Sequence, residues 1–476
     1  MPLSSPFATV RRINFLDRCR QTFGGVEDDP MARTELLMIP EIMGLDSRRQ
    51  LIRIPPELDV PLTDRVRRII DTAAFRRLAR ISQLGLVSLV YPAAHHTRFE
   101  HSLGVYRLAL LVVKRLAYDT RFSEQVSPRE AGLFIVSALL HDLGHWPFCH
   151  PIEDLELPGV PRHEELVKSY LEDPSLADLL REEWNVEPGE VLDLLNGGQL
   201  AKTRRLLASM LSGPVDVDKM DYLFRDSLHA GVPYGRNFDQ ERLLGSLCLN
   251  ATGDGLSITE KGKTAAEMLV FARYVMFSEV YWHHCVRAAT AMFQRAFFML
   301  YRQLDLPDLF RCTDLPFIDR LRREAGHGPA NDLLEGLFGP RRILYKRVSQ
   351  YSFFENREIY QKLARRPYCW LVQCSERLAE LCSRHLGRPL PPHMILIDAP
   401  PAKREVEFQV DVFFLKEGIY RPLAQVSPVV RTLAETQFDD YVKRVRIFAH
   451  PHVAGRIRDL PRLHDLVEEA IETTPT

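Results

Sequence analysis

The chain has 476 residues, of which 46% are hydrophobic and 26% are charged, and its 62 Lys and Arg nearly cancel its 63 Asp and Glu. This composition is typical of an ordinary globular protein, and the length predicts two lobes or one large core with appended subdomains. The near-zero net charge and the lack of a basic tract with interleaved aromatic residues argue against nucleic acid as the main partner.

The sequence also gives expectations about the compartment. Its eight cysteines form no CxxC pair, which is typical of reduced thiols in a cytosol. The best apolar run, LALLVVKRLAY, is interrupted by Lys114 and Arg115, so no membrane span is expected. The basic stretch RRINFLDRCR is not followed by the apolar region of a secretory signal. We therefore expect a cytoplasmic protein with no membrane partner.

Helical periodicity dominates the first two thirds of the chain. Residues 1–50 mix Pro, Gly and charges with little periodicity, so we predict a loosely attached N-terminal arm. From Asp64 to about Leu300, apolar residues recur every three or four positions, which predicts helices. The segments are RVRRIIDTAAFRRLARISQLG, HSLGVYRLALLVVKRLAY, REAGLFIVSALLHDLG, RHEELVKSYL and AEMLVFARYVMFSEVYWHHCVRAATAMFQRAFFMLYRQL, the last read as long, largely buried helix.

The pattern changes beyond about Pro307. MILIDAP, EVEFQVDVFFL and YVKRVRIFAH are rich in Ile, Val and Phe and predict short strands. We therefore divide the chain into an arm (1–50), a helical core (51–306) and a smaller C-terminal α+β lobe (307–476).

The segment SALLHDLGHWPFCH, Ser137 to His150, places polar groups in an apolar setting. His141, Asp142, His145 and His150 lie within it, and buried imidazoles and carboxylates need partners. A metal ion would satisfy several of them at once. A second His-Asp pair, His464 and Asp465, lies in a charged helical stretch and is read as a solvated helix face.

Two further segments supply matching groups. HHTRFEHSLGV contains His101, and DVDKMDYLFRD contains Asp216, Asp218, Asp221 and Asp226 near Lys219 and Arg225. Imidazoles combined with carboxylates suit Mn, Fe, Ni, Zn or Mg rather than a thiolate-bound structural zinc. Four protein ligands leave coordination positions for water and substrate.

The order of these three segments resembles the HD-domain phosphohydrolases. Within that group it is most similar to the deoxynucleoside triphosphate (dNTP) triphosphohydrolases related to the sterile-alpha-motif and HD-domain enzyme, although no sterile-alpha-motif segment is evident. The similarity runs from about Asp64 to about Phe448. It implies a mainly α fold with an HD-type helical core and a smaller C-terminal α+β lobe, a dimer or tetramer, and hydrolysis of dNTPs to a deoxynucleoside and inorganic triphosphate.

The resemblance also implies a metal centre and a proton donor. The metal ligands would be His101, His141, Asp142 and Asp218, with Asp216 the less favoured aspartate. His163 is the candidate general acid, and His150 is the second active-site histidine outside the metal shell. Glu153 stands where the family has an aspartate, which affects the orientation of this proton relay.

The remaining matched positions are expected to bind substrate. Arg98, Lys219 and Arg273 would hold phosphate oxygens, and His145 would either contact phosphate or hydrogen-bond a metal ligand. Gln83 and Asp226 resemble groups that bind the 3′-hydroxyl, Tyr281 resembles the tyrosine packed against the sugar, and Tyr222 would line the pocket. On its own, Tyr281 would more often be a core aromatic.

The match to the family's allosteric nucleotide site is incomplete. Asp71 is retained, but Arg76 and Ala79 replace a glutamine and an arginine, which argues against guanine-specific activation and leaves a nucleotide activator as an open expectation. Arg342 and Lys346 resemble a basic pair of the regulatory region, or belong to a solvated basic face. Two alternatives stay open: another HD phosphohydrolase, acting on a monophosphate, a cyclic nucleotide or a nucleic-acid end, and a nucleotide sensor with little turnover.

Overall fold

A computed structural model describes residues 30–402, 409–435 and 442–475. Helices dominate these residues and the sheets are small, so the prediction of a mainly α fold is confirmed. Residues 1–29 of the predicted arm and 405–408 of the predicted strand EVEFQVDVFFL lie outside the described residues.

The described α-helices from the first half of the chain carry the predicted motifs. They are Pro30–Leu37, Pro40–Gly44, Asp64–Ile70, Ala73–Arg77, Arg98–Leu116, Thr120–Gln125, Pro128–Leu140, Cys149–Glu153, His163–Leu171, Pro174–Trp184, Pro188–Asn196, Lys202–Ser212 and Val217–Ala230. Those that follow are Gln240–Ser246, Lys263–Met276, His284–Leu300, Leu306–Leu309, Asp314–Ala325, Pro329–Phe338, Arg357–Leu363, Tyr368–Leu386, Leu423–Val426, Pro428–Glu435, Pro451–Arg458 and Leu463–Thr473. Short 3₁₀ turns cover Leu78–Arg80, Gly85–Leu89, Tyr234–Arg236, Glu260–Gly262 and Pro392–Met394.

Nine short strands form three sheets within the described residues. They are β1 (Leu51–Ile54), β2 (Leu58–Pro61), β3 (Leu247–Leu249), β4 (Leu256–Thr259), β5 (Lys346–Tyr351), β6 (Ile395–Asp398), β7 (Asp411–Phe414), β8 (Ile419–Pro422) and β9 (Val445–Ala449). The sheet orders are β1-β2, β3-β4-β7-β8 and β5-β9-β6, and the β4-β7 pair is parallel whereas the others are antiparallel.

Three helices position the HD segment. Arg98–Leu116 packs against both Pro128–Leu140 and Val217–Ala230. Pro128–Leu140 begins at Ser127, whose side chain accepts a hydrogen bond from the Glu130 backbone, and it ends at His141. Its residues from Ala131 to Leu140 are all buried. The His-Asp pair is therefore held at the buried end of this helix, beside two neighbouring helices.

Two predicted helices are interrupted. The segment beginning at Asp64 breaks before Thr72, whose hydroxyl caps the next helix by accepting from the Phe75 backbone. The long segment ends as α-helix at Met276, continues as a π-helical turn over Phe277–Tyr281, and restarts at His284. Periodicity alone does not reveal these breaks because local capping and a π turn preserve nearly the same apolar spacing.

The hydrophobic interior has three clusters. The first surrounds the HD helices and also takes in Val410, Val412 and Val430 from late in the chain, because β7 pairs with β4. The second surrounds His284–Leu300, and the third joins Tyr368–Leu386 to the β5-β9-β6 sheet. The division of the chain at 306/307 stays a prediction.

Residues 30–44 of the predicted arm form two short helices, in which Leu36 and Ile42 are buried. No described helix is long and apolar enough to cross a membrane. The seven described cysteines are all free thiols.

Candidate active site

Four predicted metal ligands meet where the three HD helices approach each other. His101 Nε2 lies 3.1 Å from Asp218 Oδ1 and 3.2 Å from His141 Nε2. His141 Nε2 lies 3.5 Å from Asp142 Oδ1 and 3.8 Å from Asp218 Oδ1. Two imidazole nitrogens and two carboxylate oxygens thus converge from helices that are far apart in sequence, as the motif order predicts.

The hydrogen bonds behind these ligands fit a divalent cation. His141 Nδ1 lies 2.9 Å from the Ala138 carbonyl oxygen, which accepts only, so Nδ1 carries the proton. His101 Nδ1 lies 2.8 Å from Asp221 Oδ2 and donates to it in the same way. The two Nε2 atoms face each other and are the atoms that would bind a shared metal ion.

The electrostatics at this point favour positive charge. Burial alone would lower the pKa of His101, but hydrogen bonds with Asp218 and Asp221 raise it to about 10. Burial would likewise raise the pKa of Asp142, but Arg98 and nearby histidines hold it well below its usual range. Arg98 Nη1 lies 2.8 Å from Asp142 Oδ2, so the carboxylate stays charged with its other oxygen directed at His141.

A second group of side chains contains the predicted proton donor. Glu153 Oε1 accepts from the His163 backbone at 2.9 Å and lies 2.8 Å from His163 Nδ1, while its Oε2 lies 3.3 Å from His150 Nδ1. Burial would raise the pKa of Glu153, but its hydrogen bonds with His150 and His163 lower it strongly. One carboxylate therefore orients both imidazoles and leaves their Nε2 atoms available.

The predicted sugar-binding residues also meet. The Tyr281 hydroxyl donates to Asp226 Oδ2 at 2.6 Å, and His96 Nε2 lies 2.8 Å from Asp226 Oδ1. The Gln83 backbone donates to the His96 carbonyl at 3.0 Å. Among the described residues, buried Gln83 Oε1 has no hydrogen-bond partner, so an acceptor is available for a ligand hydroxyl.

Charged residues join the metal ligands to this sugar group. Arg225 binds Asp221 through Nε at 2.8 Å and Nη2 at 2.7 Å, and its Nη1 donates to Glu100 at 2.6 Å. His229 Nε2 lies 2.8 Å from the same Glu100 oxygen, and its ring stacks on His96 at 4.4 Å. Apart from the Asp221–Arg225 pair, these hydrogen bonds join residues far apart in sequence, so only the histidine-rich stretch HHTRFEH hinted that His96 belongs to the site.

Comparison with known proteins now identifies the family. An HD-domain family model matches residues 98–225, and an HD-associated-region model matches 238–462. The uncharacterized protein MJ1154 of Methanocaldococcus jannaschii is 36% identical over 82% of this chain and 77% of its own length. The chain belongs to the HD-domain family.

Other proteins resemble this HD-domain protein, and one of them is named as a dNTP hydrolase. The deoxynucleoside triphosphate triphosphohydrolase SAMHD1 homolog of Dictyostelium discoideum is 34% identical over 37% of this chain and 35% of its own length. The uncharacterized protein YwfO of Bacillus subtilis is 36% identical over 50% of this chain and 52% of its own length. The chain thus spans about a third of the length of the Dictyostelium relative and about half of the length of YwfO. A hypothetical protein from Aquifex aeolicus has a TM-score of 0.66 at 27% identity, covering 86% of this chain and 98% of its own.

The predicted phosphate-binding residues of the HD domain are ion-paired or buried. Lys219 Nζ binds Asp216 Oδ2 at 2.6 Å and the Gly213 carbonyl at 3.1 Å. Burial raises the pKa of Asp216 to about 6, despite Lys219. Because Asp216 bonds Lys219 and caps its helix, Asp218 is the better candidate ligand.

The other substrate-binding candidates lie nearby. Arg273 is buried, with its guanidinium 5.5 Å from the Phe277 ring. His145 Nδ1 lies 3.1 Å from Asp142 Oδ1, and burial together with Arg98 holds the pKa of His145 well below its usual range. Tyr222 is half-buried on the Val217–Ala230 helix. Their roles in binding substrate stay predictions.

The predicted regulatory residues of the HD-domain protein come from two stretches of the chain. Asp71 ends the Asp64–Ile70 helix, and the Arg76 guanidinium lies 5.4 Å from the Phe99 ring. Arg342 donates to the Leu89 carbonyl, and it lines a cavity of about 800 Å³ together with Lys346. An activating nucleotide and an oligomeric state stay predictions.

Proposed function

We propose that this protein is a metal-dependent dNTP triphosphohydrolase that releases a deoxynucleoside and inorganic triphosphate. Its place in the HD-domain family and its His/Asp donor set support the broader class, a metal-dependent phosphohydrolase. The observation that supports dNTPs as the substrate is that one helix carries both a candidate metal ligand and a candidate sugar-binding residue. Val217–Ala230 carries Asp218 at the metal ligands and Asp226 at Tyr281.

His101, His141, Asp142 and Asp218 would hold the metal, whose identity among Mn, Fe, Ni, Zn and Mg the N/O donor set leaves open. When bound, such an ion supplies an acidified water and polarises a phosphate oxygen. The ligands themselves are held rigidly, because Asp221, the Ala138 carbonyl and Arg98 fix His101, His141 and Asp142 from behind.

His163 would deliver the proton to the departing 5′-oxygen. Its Nδ1 faces Glu153, so Nε2 is the atom left to face a substrate. Glu153 accepts from Nδ1 and fixes the orientation of the imidazole, as a positioned general acid requires. His150 shares the same carboxylate and is 62% exposed, so it connects the proton donor to solvent.

Three cationic side chains and one imidazole would bind the triphosphate. The guanidinium of Arg98 is anchored by Asp142 through Nη1, and its buried Nε has no hydrogen-bond partner among the described residues. Lys219, Arg273 and His145 would add charge or hydrogen bonds on the same side of the metal ligands. Together they would bind the phosphates as a whole.

The sugar group would distinguish deoxyribose from ribose. Asp226 and Gln83 Oε1 would accept from the 3′-hydroxyl, and the Tyr281 ring would pack where a 2′-hydroxyl would sit. Tyr281 is held by its hydrogen bond to Asp226, so it could not easily move aside for a ribose. A half-buried, fixed ring that excludes one hydroxyl favours dNTPs.

The test is incubation of the purified protein with each of four dNTPs and four rNTPs, with and without Mn or Mg. Ion-exchange chromatography would resolve the products. We expect deoxynucleoside and intact triphosphate from dNTPs, and neither after chelation. Stepwise release of phosphate would instead indicate another phosphohydrolase. Tight dNTP binding without turnover, even with mixed nucleotides as activators, would favour a sensor.

A further inference from the structure

We propose that His145, Cys149, His150 and His163 form a second metal site, which takes a thiolate-preferring divalent cation such as Zn²⁺ and thereby blocks the proton donor. Each residue offers one ligand atom, and these atoms all lie within 4.8 Å of one another. The blocking effect rests on the proposed function, whereas the metal site itself does not.

The four donors have the chemistry of a zinc site. Three imidazoles with one thiol form a softer set than the two imidazoles and two carboxylates at His101 and Asp218, and a softer set favours a thiophilic cation such as Zn²⁺. Tetrahedral zinc places its ligand atoms roughly 3 to 4 Å apart. Small side-chain rotations would bring the present donors to that spacing.

Glu153 orients two of the imidazoles from behind. The Nδ1 atoms of His150 and His163 face Glu153 at 3.3 and 2.8 Å, so their Nε2 atoms are left for a ligand. His145 is buried, and its Nδ1 has no hydrogen-bond partner among the described residues although it lies 3.1 Å from Asp142 Oδ1. A carboxylate behind an imidazole is the usual outer support of a protein zinc site.

A backbone turn at Phe148 precedes the Cys149 thiol. Phe148 adopts a left-handed conformation with φ 56° and ψ 35°, which is strained for a bulky residue. Its ring is held by Phe293 at 4.7 Å and Phe338 at 5.6 Å. This turn starts the Cys149–Glu153 helix and places Cys149 and His150 side by side, with exposed His150 giving a cation access from solvent.

Binding would have a defined chemical consequence. Cys149 would lose its proton to solvent as its sulfur bonds the cation. His163 Nε2 would become a ligand, so it could no longer protonate a leaving group. Zn²⁺ bound at this second site would then inhibit hydrolysis supported by Mn²⁺.

The first experiment titrates Co²⁺ into the full-length, Mn-loaded protein and records near-ultraviolet absorption. A thiolate-to-cobalt charge-transfer band is expected for the wild type, and its loss in Cys149→Ser. The first metal site contains no thiolate, so it gives no such band. His283, His284 and Cys285 form another donor group, so Cys285→Ser is the matched control and should keep the band.

A band that is absent from the wild type, or that persists in Cys149→Ser, would overturn the site. Melting temperatures would verify that the variant is folded, with Cys149→Ala as a second variant if the serine is not tolerated.

The second experiment measures Mn-supported hydrolysis against rising Zn²⁺. Cys149→Ser should keep the wild-type rate without zinc and need at least tenfold more Zn²⁺ for half inhibition. Equal zinc sensitivity of the two proteins would refute the blocking effect, even where the cobalt band is present. If the protein hydrolyses no dNTP, the cobalt band still decides whether the site exists.

Discussion

Single residues in this site serve more than one partner. Asp226 accepts from Tyr281 through one oxygen and contacts His96 through the other. Glu153 does the same for His150 and His163. Each carboxylate fixes two side chains relative to each other, so the loss of one carboxylate would release both. Effects of substitution at these positions are expected to be non-additive.

His141→Ala or Asp142→Ala should remove bound metal and activity together, because each deletes one of the four converging ligands. Metal content by mass spectrometry and hydrolysis rate would be measured on the same samples. His464→Ala is the control, since His464 lies on the separate Leu463–Thr473 helix, 6.0 Å from the Tyr351 ring. An active, metal-loaded His141→Ala protein would refute the ligand assignment.

His96→Ala should weaken discrimination between deoxyribose and ribose. The substitution removes the hydrogen bond to Asp226, which then holds Tyr281 less firmly. We expect the ratio of kcat/KM for dNTP over rNTP to fall about tenfold, corresponding to roughly 1.4 kcal/mol. The neighbouring exposed residue supplies the control, His95→Ala, whose ratio should match the wild type.

Helices carry the ligands, and close packing sets their distances. Gly104 lies on the Arg98–Leu116 helix where Val217–Ala230 crosses it, and a Cβ at Gly104 would collide with the carboxylate of Asp221 and the guanidinium of Arg225. The absence of a side chain therefore allows Asp221 to reach His101 on the facing helix. Gly104 thus sets how closely the two helices that carry His101 and Asp218 can approach each other.

Gly104→Ala should lower both stability and metal affinity. The added methyl forces the two helices apart or breaks the Asp221–Arg225 pair, and overpacking of this kind costs about 1 to 3 kcal/mol. Thermal unfolding with and without Mn²⁺ would measure the change. Gly132→Ala is the control, because nothing lies within 4 Å of a Cβ there.

A pH effect is expected at the Pro188–Asn196 helix. Burial would raise the pKa of Glu190, but hydrogen bonds from Arg129, the Glu187 backbone and Arg204 lower it from 4.5 to about 2. Because the folded pKa is depressed, its stabilising contribution is present above pH 4.5 and is lost as pH falls toward 2.

Glu190→Gln should therefore be less stable than the wild type above pH 5, and the difference in unfolding free energy should shrink below pH 4.5. Urea unfolding at a series of pH values would measure it. A difference that stays constant across this range would contradict the assignment.

Among the helices and strands, the sequence predicted most helices but not their interruptions. Periodicity located Arg98–Leu116 and His163–Leu171, and Ile395–Asp398 and Val445–Ala449 were expected as strands. Phe277–Tyr281 was expected as ordinary helix. A π turn depends on how the chain packs against its neighbours, so propensity cannot reveal it.

In the whole molecule, the order of motifs predicted the family and the ligand set that converges. The contacts of His96, Glu100 and His229 were not predictable, because they join residues more than a hundred positions apart or depend on helix packing. The pairing of β7 with β4 was not predictable from the sequence either, since strands of four residues carry little information about their register. The motifs that contain the candidate ligands are short, continuous stretches of sequence. The hydrogen bonds that hold these residues in place join distant parts of the chain.

The parallel pairing of Ile258 with Val412 sets an order of events during protein synthesis. The HD helices and β3-β4 leave the ribosome well before β7 does, so one edge of β4 has no strand beside it in the growing chain. An unpaired edge is a template for association with other chains until its own partner arrives. A chain that stops before Asp411 would keep that edge open permanently and should aggregate, even though every candidate metal ligand is present.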